Sequence, residues 1–392
     1  MKIAIPKERR AHERRVAASP ESVKKLLGLS LTDLSVVIET GAGEGASYTD
    51  DAFKTAGASI AKDFAETVKD ADVVLKVQRP ITKAEGGKID EVGQLPKGCK
   101  LIALLDPLQT PEAVKAYAEA GVDAFAMELM PRITRAQDKD VLSSQANLAG
   151  YRAVIDAAGA FSRGFPMMMT AAGTVPPARV FIMGAGVAGL QAIATARRLG
   201  GVVSATDVRP AAKQEVESLG ATFVAVEDDE FKQAEAAGGY AKEMSDAYKK
   251  KQAELVAETV KKTDIIITTA LIPGKPAPKL VTQDMVESMK PGSVIVDLAL
   301  LQGGNCEVSK PDEVVEHHGV TILGHTNWPS RIAVSASSLY ARNLFNFFKL
   351  MEDKDSGGLK VNMEDQIIAD TCLTQGGKVV HPKLTERAGE GA

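Results

Sequence analysis

The sequence has little cysteine, few aromatic residues and no long apolar run. Its three cysteines, Cys99, Cys306 and Cys372, have no metal-ligand spacing and are too few for a disulfide framework, so we expect a reducing compartment. No apolar run approaches the ~18 residues that a membrane-spanning helix needs. The N-terminus also lacks the apolar core of a signal peptide. We therefore expect a chain that does not span a membrane, and no metal site.

Charge and length narrow the class further. The formal net charge of −4, with 25% charged and 45% hydrophobic residues, is ordinary for a soluble globular protein and gives no reason to expect nucleic-acid binding. A chain of 392 residues is long for a single core, so two domains are expected.

The most informative stretch that is present runs from Val180 to Leu190. Four apolar residues lead into a Gly-x-Gly-x-x-Gly motif formed by Gly184, Gly186 and Gly189. The first glycine allows a tight turn, the second allows a pyrophosphate to approach the backbone, and the third allows close packing of helix on strand. This order predicts a dinucleotide site at the start of a helix.

The second predicted strand of this region, residues 201–206, ends on Asp207. An acid there accepts hydrogen bonds from an adenosine ribose and repels a 2′-phosphate, which favours NAD(H) over NADP(H). Arg209 leaves an alternative open, because an arginine nearby either holds such a phosphate or is a solvated loop charge.

The pattern of apolar runs predicts alternating strands and helices in both halves of the chain. Strands are predicted at residues 2–5, 34–38, 73–77, 100–104, 123–126, 222–226, 265–269, 293–297 and 321–323. Helices are predicted at residues 20–27, 50–56, 64–69, 111–120, 143–161, 190–199 and 332–349, with irregular chain at 174–178. The predicted fold is α/β, with two Rossmann-like, doubly wound parallel-sheet domains and a cleft between them. The N-terminal domain is predicted to comprise 1–142 plus 330–384, and the NAD(H)-binding domain 143–329.

Residues 228–258 are rich in charge, and few of them before Leu255 suit a core. Long segments of this kind inside domains are often functional. One interpretation is a mobile loop, at about 228–247, that closes Tyr240 over a bound cofactor. The other is a solvated surface loop followed by a charged helix.

Four further segments carry a family resemblance: residues 126–137, 142–152, 165–174 and 268–274. With them, almost the whole chain resembles the NAD(H)-binding components of proton-translocating transhydrogenases. The resemblance implies direct hydride transfer between NAD(H) here and NADP(H) on a partner subunit, coupled to proton movement by membrane-spanning subunits. It also implies a homodimer that lies peripherally on the cytoplasmic face of the inner membrane.

The resemblance also assigns site residues. A polar cluster around the nicotinamide and its ribose comprises Arg132, Gln137, Asp140 and Ser143. The cofactor-binding set comprises Gly184, Gly186, Val187, Gly189, Asp207, Val208, Arg209, Tyr240, Thr269, Ala270, Leu271 and Asn327. The bland interpretations are a surface ion pair between Arg132 and Asp140 and a helix-capping role for Ser143. One departure is the charged pair Asp138-Lys139, where a small polar and then an apolar residue would be expected.

Alanine dehydrogenase is the alternative, because the chain also resembles that enzyme. Arg15 and Lys76 match positions that hold the substrate of alanine dehydrogenase. However, oxidative deamination needs a general acid or base, and this chain has no histidine at 104–107 and has Leu301 where an aspartate is expected. Hydride exchange between two nicotinamides needs no such group. A module that only senses NADH is a third possibility.

Overall fold

The computed structural model describes residues 1–86, 89–232, 244–272 and 275–389. The chain divides into two units, which we call unit 1 (Met1–Gln145 with Ser330–Ala392) and unit 2 (Ala146–Pro329). Each unit has its own large sheet and its own apolar clusters.

The N-terminal portion of unit 1 alternates strands with helices. The strands are β1 (Lys2–Ile5), β2 (Ser35–Glu39), β3 (Ser59–Ala61), β4 (Val73–Gln78), β5 (Lys100–Leu104) and β6 (Asp123–Ala126). The helices are α1 (Pro20–Leu27), α2 (Asp50–Thr55), α3 (Phe64–Val68) and α4 (Pro111–Glu119). Helix α1 begins where Ser19 and Ser22 exchange side-chain and backbone hydrogen bonds in a capping box, which satisfies donors that a helix start leaves free.

The chain passes from unit 1 to unit 2 within helix α5 (Val141–Ala160). The strands that follow are β7 (Met168–Thr170), β8 (Gly173–Val175), β9 (Arg179–Met183), β10 (Val202–Thr206), β11 (Thr222–Phe223), β12 (Ile265–Thr268), β13 (Val294–Asp297), β14 (Val314–His317) and β15 (Val320–Leu323). The helices are α6 (Val187–Arg198), α7 (Ala212–Ser218), α8 (Asp229–Lys232), α9 (Asp246–Val260) and α10 (Gln283–Glu287).

The C-terminal portion of the chain returns to unit 1. Its elements are α11 (Ala333–Phe348), β16 (Glu352–Asp353), β17 (Gly358–Leu359), α12 (Gln366–Thr371), β18 (Cys372–Gln375), β19 (Lys378–Val379) and α13 (Pro382–Gly389). Helix α11 places Tyr340, Leu344 and Phe347 in the same apolar cluster as Ile3 and Ile5 of the central strand β1. The return segment is therefore part of the core of unit 1.

The sheet of unit 1 has the strand order β3-β2-β1-β4-β5-β6-β18-β19. The strands from β3 to β6 are parallel, whereas β18 pairs antiparallel with β6 and β19 antiparallel with β18. The two antiparallel strands were not predicted. The order runs outward in both directions from β1, so the topological switch point of this sheet lies between β1 and β4.

The sheet of unit 2 has the order β11-β10-β9-β12-β13-β15-β14, and only β14 is antiparallel among these strands. Its switch point lies between β9 and β12. Along β9, Val180 and Ile182 belong to one apolar cluster and Phe181 and Met183 to another, because successive side chains point to opposite faces. The predicted α/β class with two parallel-sheet-dominated domains is confirmed.

Two local predictions for unit 2 were wrong. The supposedly irregular residues 174–178 overlap β8, which forms a two-stranded hairpin with β7. In residues 228–258, Phe231 and Tyr248 are buried and their rings stack with centroids 6.4 Å apart, so this charged region does contribute to a core. None of the helices in the described parts of the chain is long and apolar enough to cross a lipid bilayer.

Candidate functional site

The turn between β9 and α6 is tied to both neighbouring strands. Gly184 has φ +106°, and a Cβ added there would lie 2.6 Å from Thr269 Oγ1. Its N–H donates to Thr206 O at 2.8 Å, and Thr269 Oγ1 donates to Gly184 O at 3.0 Å. The turn therefore needs glycine for its backbone conformation and for its space, and it is fixed at the carboxyl ends of β10 and β12.

The other two glycines of the motif differ in what surrounds them. A Cβ on Gly189 would lie 1.8 Å from Gly184 O, whereas a Cβ on Gly186 would meet no atom within 4 Å. Gly189 is therefore required for packing inside the protein. Gly186 instead borders open space immediately before α6, where the first N–H groups of the helix receive no side-chain cap. Space and free donors at a helix N-terminus fit the pyrophosphate of a dinucleotide.

Helix α5 supports the start of α6 through a close crossing. A Cβ on Gly150 would lie 2.0 Å from Ala188 O, so the two helices meet at backbone distance. Asn147 Nδ2 also donates to Gln191 Oε1 at 3.2 Å. This crossing gives a physical reason for the glycine in the segment 142–152.

Asp207, the acid at the end of β10, is held by its neighbours. Its Oδ2 accepts from Ala185 N at 2.7 Å, and its Oδ1 accepts from Arg209 N and Nε at 2.9 and 3.0 Å. Arg209 Nη2 donates to Asp207 Oδ2 and to Ala185 O, both at 3.2 Å. The hydrogen bond to Asp207 raises the pKa of Arg209 above its ordinary value. Arg209 is thus engaged with Asp207, which neither interpretation of Arg209 anticipated.

Exposed apolar side chains surround this loop region. Val187, Val208 and Leu271 follow the carboxyl ends of the adjacent strands β9, β10 and β12, and all three are exposed. Apolar groups at the rim of a polar turn are typical of sites that bind flat rings. The structure therefore brings the glycine motif, the acid and these three residues to one edge of one sheet.

A buried network that the sequence analysis missed supports the loop after β12. Asn305 Oδ1 accepts from Ala270 N at 3.0 Å, and Asn305 Nδ2 donates to Ala270 O at 2.9 Å. Asp297 at the end of β13 accepts from the N–H groups of Asn305 and Cys306 and from Ser309 Oγ. An aspartate that ends an apolar strand just before a Gly-Gly-Asn sequence is the signal that was available.

Helix α9 is tied to the same edge by Gln252. Its Nε2 donates to Thr206 Oγ1 at 3.2 Å, and its Oε1 accepts from Val226 N at 2.9 Å. Asn327 is half-buried beside the buried Trp328 in the segment after β15. Tyr240, predicted to close over the nucleotide, lies outside the described residues.

In unit 1, the predicted polar cluster is only partly assembled. Asp140 precedes α5, and its carboxylate accepts from Ser143 N at 3.0 Å and from Ser143 Oγ at 2.5 Å. Asp140, rather than Ser143, therefore caps the helix. Arg132 and Gln137 are exposed. Within the described ranges, no ion pair joins Arg132 to Asp140.

The charged departure from the family pattern, Asp138-Lys139, is neutralised locally. Lys139 is 6% exposed; its Nζ lies 2.6 Å from Asp138 Oδ1 and donates to Arg135 O at 3.0 Å. Asp138 O accepts from Asn343 and Asn346 of α11. The two charges therefore satisfy each other while α11 anchors the loop that carries Gln137.

Comparisons with known proteins agree with this arrangement. Family models described as alanine dehydrogenase/PNT, N-terminal domain and C-terminal domain match residues 4–149 and 153–382. The first portion of NAD(P) transhydrogenase subunit alpha of Rhodospirillum rubrum, a separate chain in that organism, is 59% identical over 392 residues, covering 100% of both chains. A solved structure of transhydrogenase from Sinorhizobium meliloti is 54% identical with TM-score 0.86, covering 97% of this chain and 100% of the other.

Alanine dehydrogenase is a more distant relative. The enzyme of Halomonas elongata is 31% identical over 397 residues, covering 99% of this chain and 97% of the other. The family models together span most of the sequence, and these relatives match it over nearly its full length. The chain belongs to the alanine dehydrogenase/PNT family, and it is more similar to the transhydrogenase subunit than to alanine dehydrogenase.

Proposed function

We propose that the chain is the NAD(H)-binding subunit of a proton-translocating transhydrogenase, which exchanges hydride with NADP(H) held by a partner subunit. The observation that carries this proposal is the space beside Gly186, at the uncapped start of α6 and next to the switch point of unit 2. The similarity to subunits named for transhydrogenation supports it.

The residues of unit 2 bind and orient the coenzyme, whose nicotinamide supplies the hydride. The first N–H groups of α6 hold the pyrophosphate, and the carboxylate of Asp207 receives the adenosine ribose hydroxyls. A 2′-phosphate would be repelled by the same carboxylate, which favours NAD(H). Val187, Val208 and Leu271 offer apolar contacts, and Thr269, Ala270 and Asn327 complete the proposed set.

The residues proposed to position the nicotinamide and its ribose are those of the unit 1 cluster. Hydride transfer depends on alignment of donor and acceptor carbons, so groups that fix orientation matter more than acids or bases. Asp140 holds the Ser143 hydroxyl, while Arg132 and Gln137 are exposed and available to a ligand. Tyr240 is proposed as the residue of the closing loop.

Alanine dehydrogenase activity is the second candidate, because of the relative named for it. Two observations count against it. Leu301 is exposed and has no titratable group. Arg15 is buried and donates from Nε and Nη2 to Glu13 at 2.8 and 2.6 Å, while Lys76 is buried 3.3 Å from Glu8. Both cations are thus paired within the chain.

The proposal includes partners and location. The β7–β8 hairpin exposes Met167, Met168 and Met169, and an exposed apolar patch of this kind suits an interface, which supports a homodimer. Membrane-spanning and NADP(H)-binding subunits are the proposed partners, with this chain peripheral on the cytoplasmic face of the inner membrane.

The decisive experiment follows hydride exchange between NADPH and an NAD analogue of shifted absorbance, with and without membranes that carry the partner subunits. We expect exchange only in the mixture. The same chain incubated alone with NADH, pyruvate and ammonium should show no oxidation of NADH. Exchange that is absent from the mixture, or amino-acid formation by the chain alone, would refute the proposal.

A further inference from the structure

Selection between two coenzymes is a specific problem for a subunit that must leave NADP(H) to its partner. The end of β10 in unit 2 carries two opposite charges, Asp207 and Arg209, separated by one residue. Asp207 is nearly buried, with 8% of its side chain exposed, and Arg209 has 33% exposed. The pair therefore sits at the surface with the acid beneath and the guanidinium accessible.

The guanidinium is held in one place by the acid. Arg209 Nε lies 3.0 Å from Asp207 Oδ1 and Nη2 lies 3.2 Å from Oδ2, a two-pronged contact that fixes a planar guanidinium. Nη2 also donates to Ala185 O at 3.2 Å, inside the glycine turn. Two of the donors of Arg209 are thus directed at the carboxylate and at the turn that is proposed to hold the coenzyme.

A guanidinium is also the group best suited to a phosphate monoester, through the same fork of donors. Where the acid ends the second strand of such a fold, an arginine nearby accommodates the 2′-phosphate of NADP(H). Arg209 is therefore chemically able to hold that phosphate, and what prevents it is its engagement with Asp207.

We propose that coenzyme choice in this chain is a property of the Asp207–Arg209 pair, in which Asp207 both repels a 2′-phosphate and withdraws the arginine that would bind it. This inference rests on the proposed function and deepens it. It assigns Arg209 as a latent phosphate-binding residue that the chain keeps paired. NADP(H) is thereby excluded even though a cation for it is present.

Four variants separate the two roles of the acid: Asp207→Ser, Asp207→Asn, Arg209→Met and Asp207→Ser/Arg209→Met. NADH and NADPH affinities would be measured for each by isothermal titration at two salt concentrations. We expect Asp207→Ser to bind NADPH at least about tenfold more tightly than the original chain, a gain of about 1.4 kcal/mol. That gain should shrink at high salt and disappear in the double variant. Arg209→Met alone should leave NADPH binding weak, because the carboxylate remains.

A matched control comes from Lys213, a second cation in the following helix. Its Nζ lies 2.7 and 2.6 Å from the two carboxylate oxygens of Glu227, so it is already paired. The Asp207→Ser/Lys213→Met variant should keep the NADPH gain. Loss of the gain there would indicate a general effect of positive charge and would overturn the assignment to Arg209.

The remaining outcomes are equally informative. If NADPH binds the Asp207→Ser/Arg209→Met variant as tightly as Asp207→Ser, then Arg209 does not hold the phosphate. If neither Asp207→Ser nor the closer mimic Asp207→Asn gains NADPH affinity, repulsion and withdrawal are both refuted. Failure of the original chain to bind NADH would instead count against the proposed function, so the two failures are distinguishable.

Discussion

At the scale of single residues, the three glycines of the motif show that the same residue type is needed for different reasons. Gly184 needs its positive φ, and Gly189 needs its lack of a side chain because of a backbone oxygen. Gly186 has neither constraint within the protein, so its reason lies outside the chain. This contrast distinguishes a ligand-related glycine from structural ones without any bound ligand.

We predict that Gly186→Ala leaves thermal stability nearly unchanged and weakens NADH binding by at least about tenfold, because its methyl group would occupy the space proposed for the pyrophosphate. Isothermal titration and thermal unfolding measure the two effects. Gly159→Ala is the control, since a Cβ there also meets no atom within 4 Å but lies in α5. Equal NADH affinity in the two variants would contradict the proposed site.

A buried acid in unit 1 has no counterpart in the sequence analysis. Glu128 accepts from Leu105 N at 2.8 Å and from Asp106 N. Its Oε2 is enclosed without a hydrogen-bond partner among the described residues. Burial raises the pKa of Glu128 to about 7. Nothing in the pattern of residues 126–137 could reveal this, because the enclosure depends on strands β5 and β6 being neighbours.

We predict that Glu128→Gln raises the free energy of unfolding at pH 8 by about 2 kcal/mol and has little effect at pH 5. Between the ordinary pKa of 4.5 and about 7, the folded state keeps a proton that the unfolded state releases. The stability contributed by this group therefore falls as pH rises through that window. The glutamine resembles the protonated acid and does not titrate.

Urea unfolding at pH 5 and pH 8 measures this difference. The exposed Glu119, changed to glutamine, serves as the control and should follow the original chain at both pH values. A Glu128→Gln variant with the same pH dependence as the original chain would show that this carboxyl group is not the one that titrates.

At the scale of elements, the sequence analysis succeeded where local pattern decides the structure. Strands β5 and β6 were predicted with their observed bounds, because each is a short apolar run with turn residues on both sides. Strands β14 and β18 were missed because they exist through antiparallel pairing with β15 and β6. Pairing between distant segments leaves little local signal. The Asp207–Arg209 contact was likewise not predictable, since it depends on rotamers rather than on spacing.

We predict that Gly150→Ala lowers the free energy of unfolding by about 2 kcal/mol or more and also weakens NADH binding. Its Cβ would lie 2.0 Å from Ala188 O, so α5 and α6 must separate and the start of α6 must shift. Chemical unfolding and NADH titration measure the two effects. Gly159→Ala in the same helix should instead be neutral or stabilising, because alanine favours helix. A Gly150→Ala variant that matches this control would refute the close crossing.

At the scale of the whole molecule, apolar burial is divided by unit. Two of the four apolar clusters lie wholly within unit 1, and the other two lie wholly within unit 2. Unit 2 is a continuous stretch of chain, whereas unit 1 needs the return segment to complete its core. The division suggests that the coenzyme-binding fold does not depend on the core of unit 1.

We therefore predict that a fragment comprising residues 140–329 folds alone and binds NADH within about tenfold of the full chain. It keeps Asp140 as the cap of α5 and the whole of unit 2, but it lacks Arg132 and Gln137, so it should not support hydride exchange with the partner subunits. The single tryptophan, Trp328, is buried and should therefore emit at short wavelength in a folded fragment.

Fluorescence reports folding, titration reports NADH binding, and the exchange assay reports alignment of the nicotinamide. The same fragment with Gly186→Ala is the control for binding at the proposed site. Long-wavelength emission from the fragment would show that unit 2 depends on unit 1. Exchange at the rate of the full chain would show that the polar cluster of unit 1 has no role in positioning the coenzyme, because that rate would then be reached without Arg132 and Gln137.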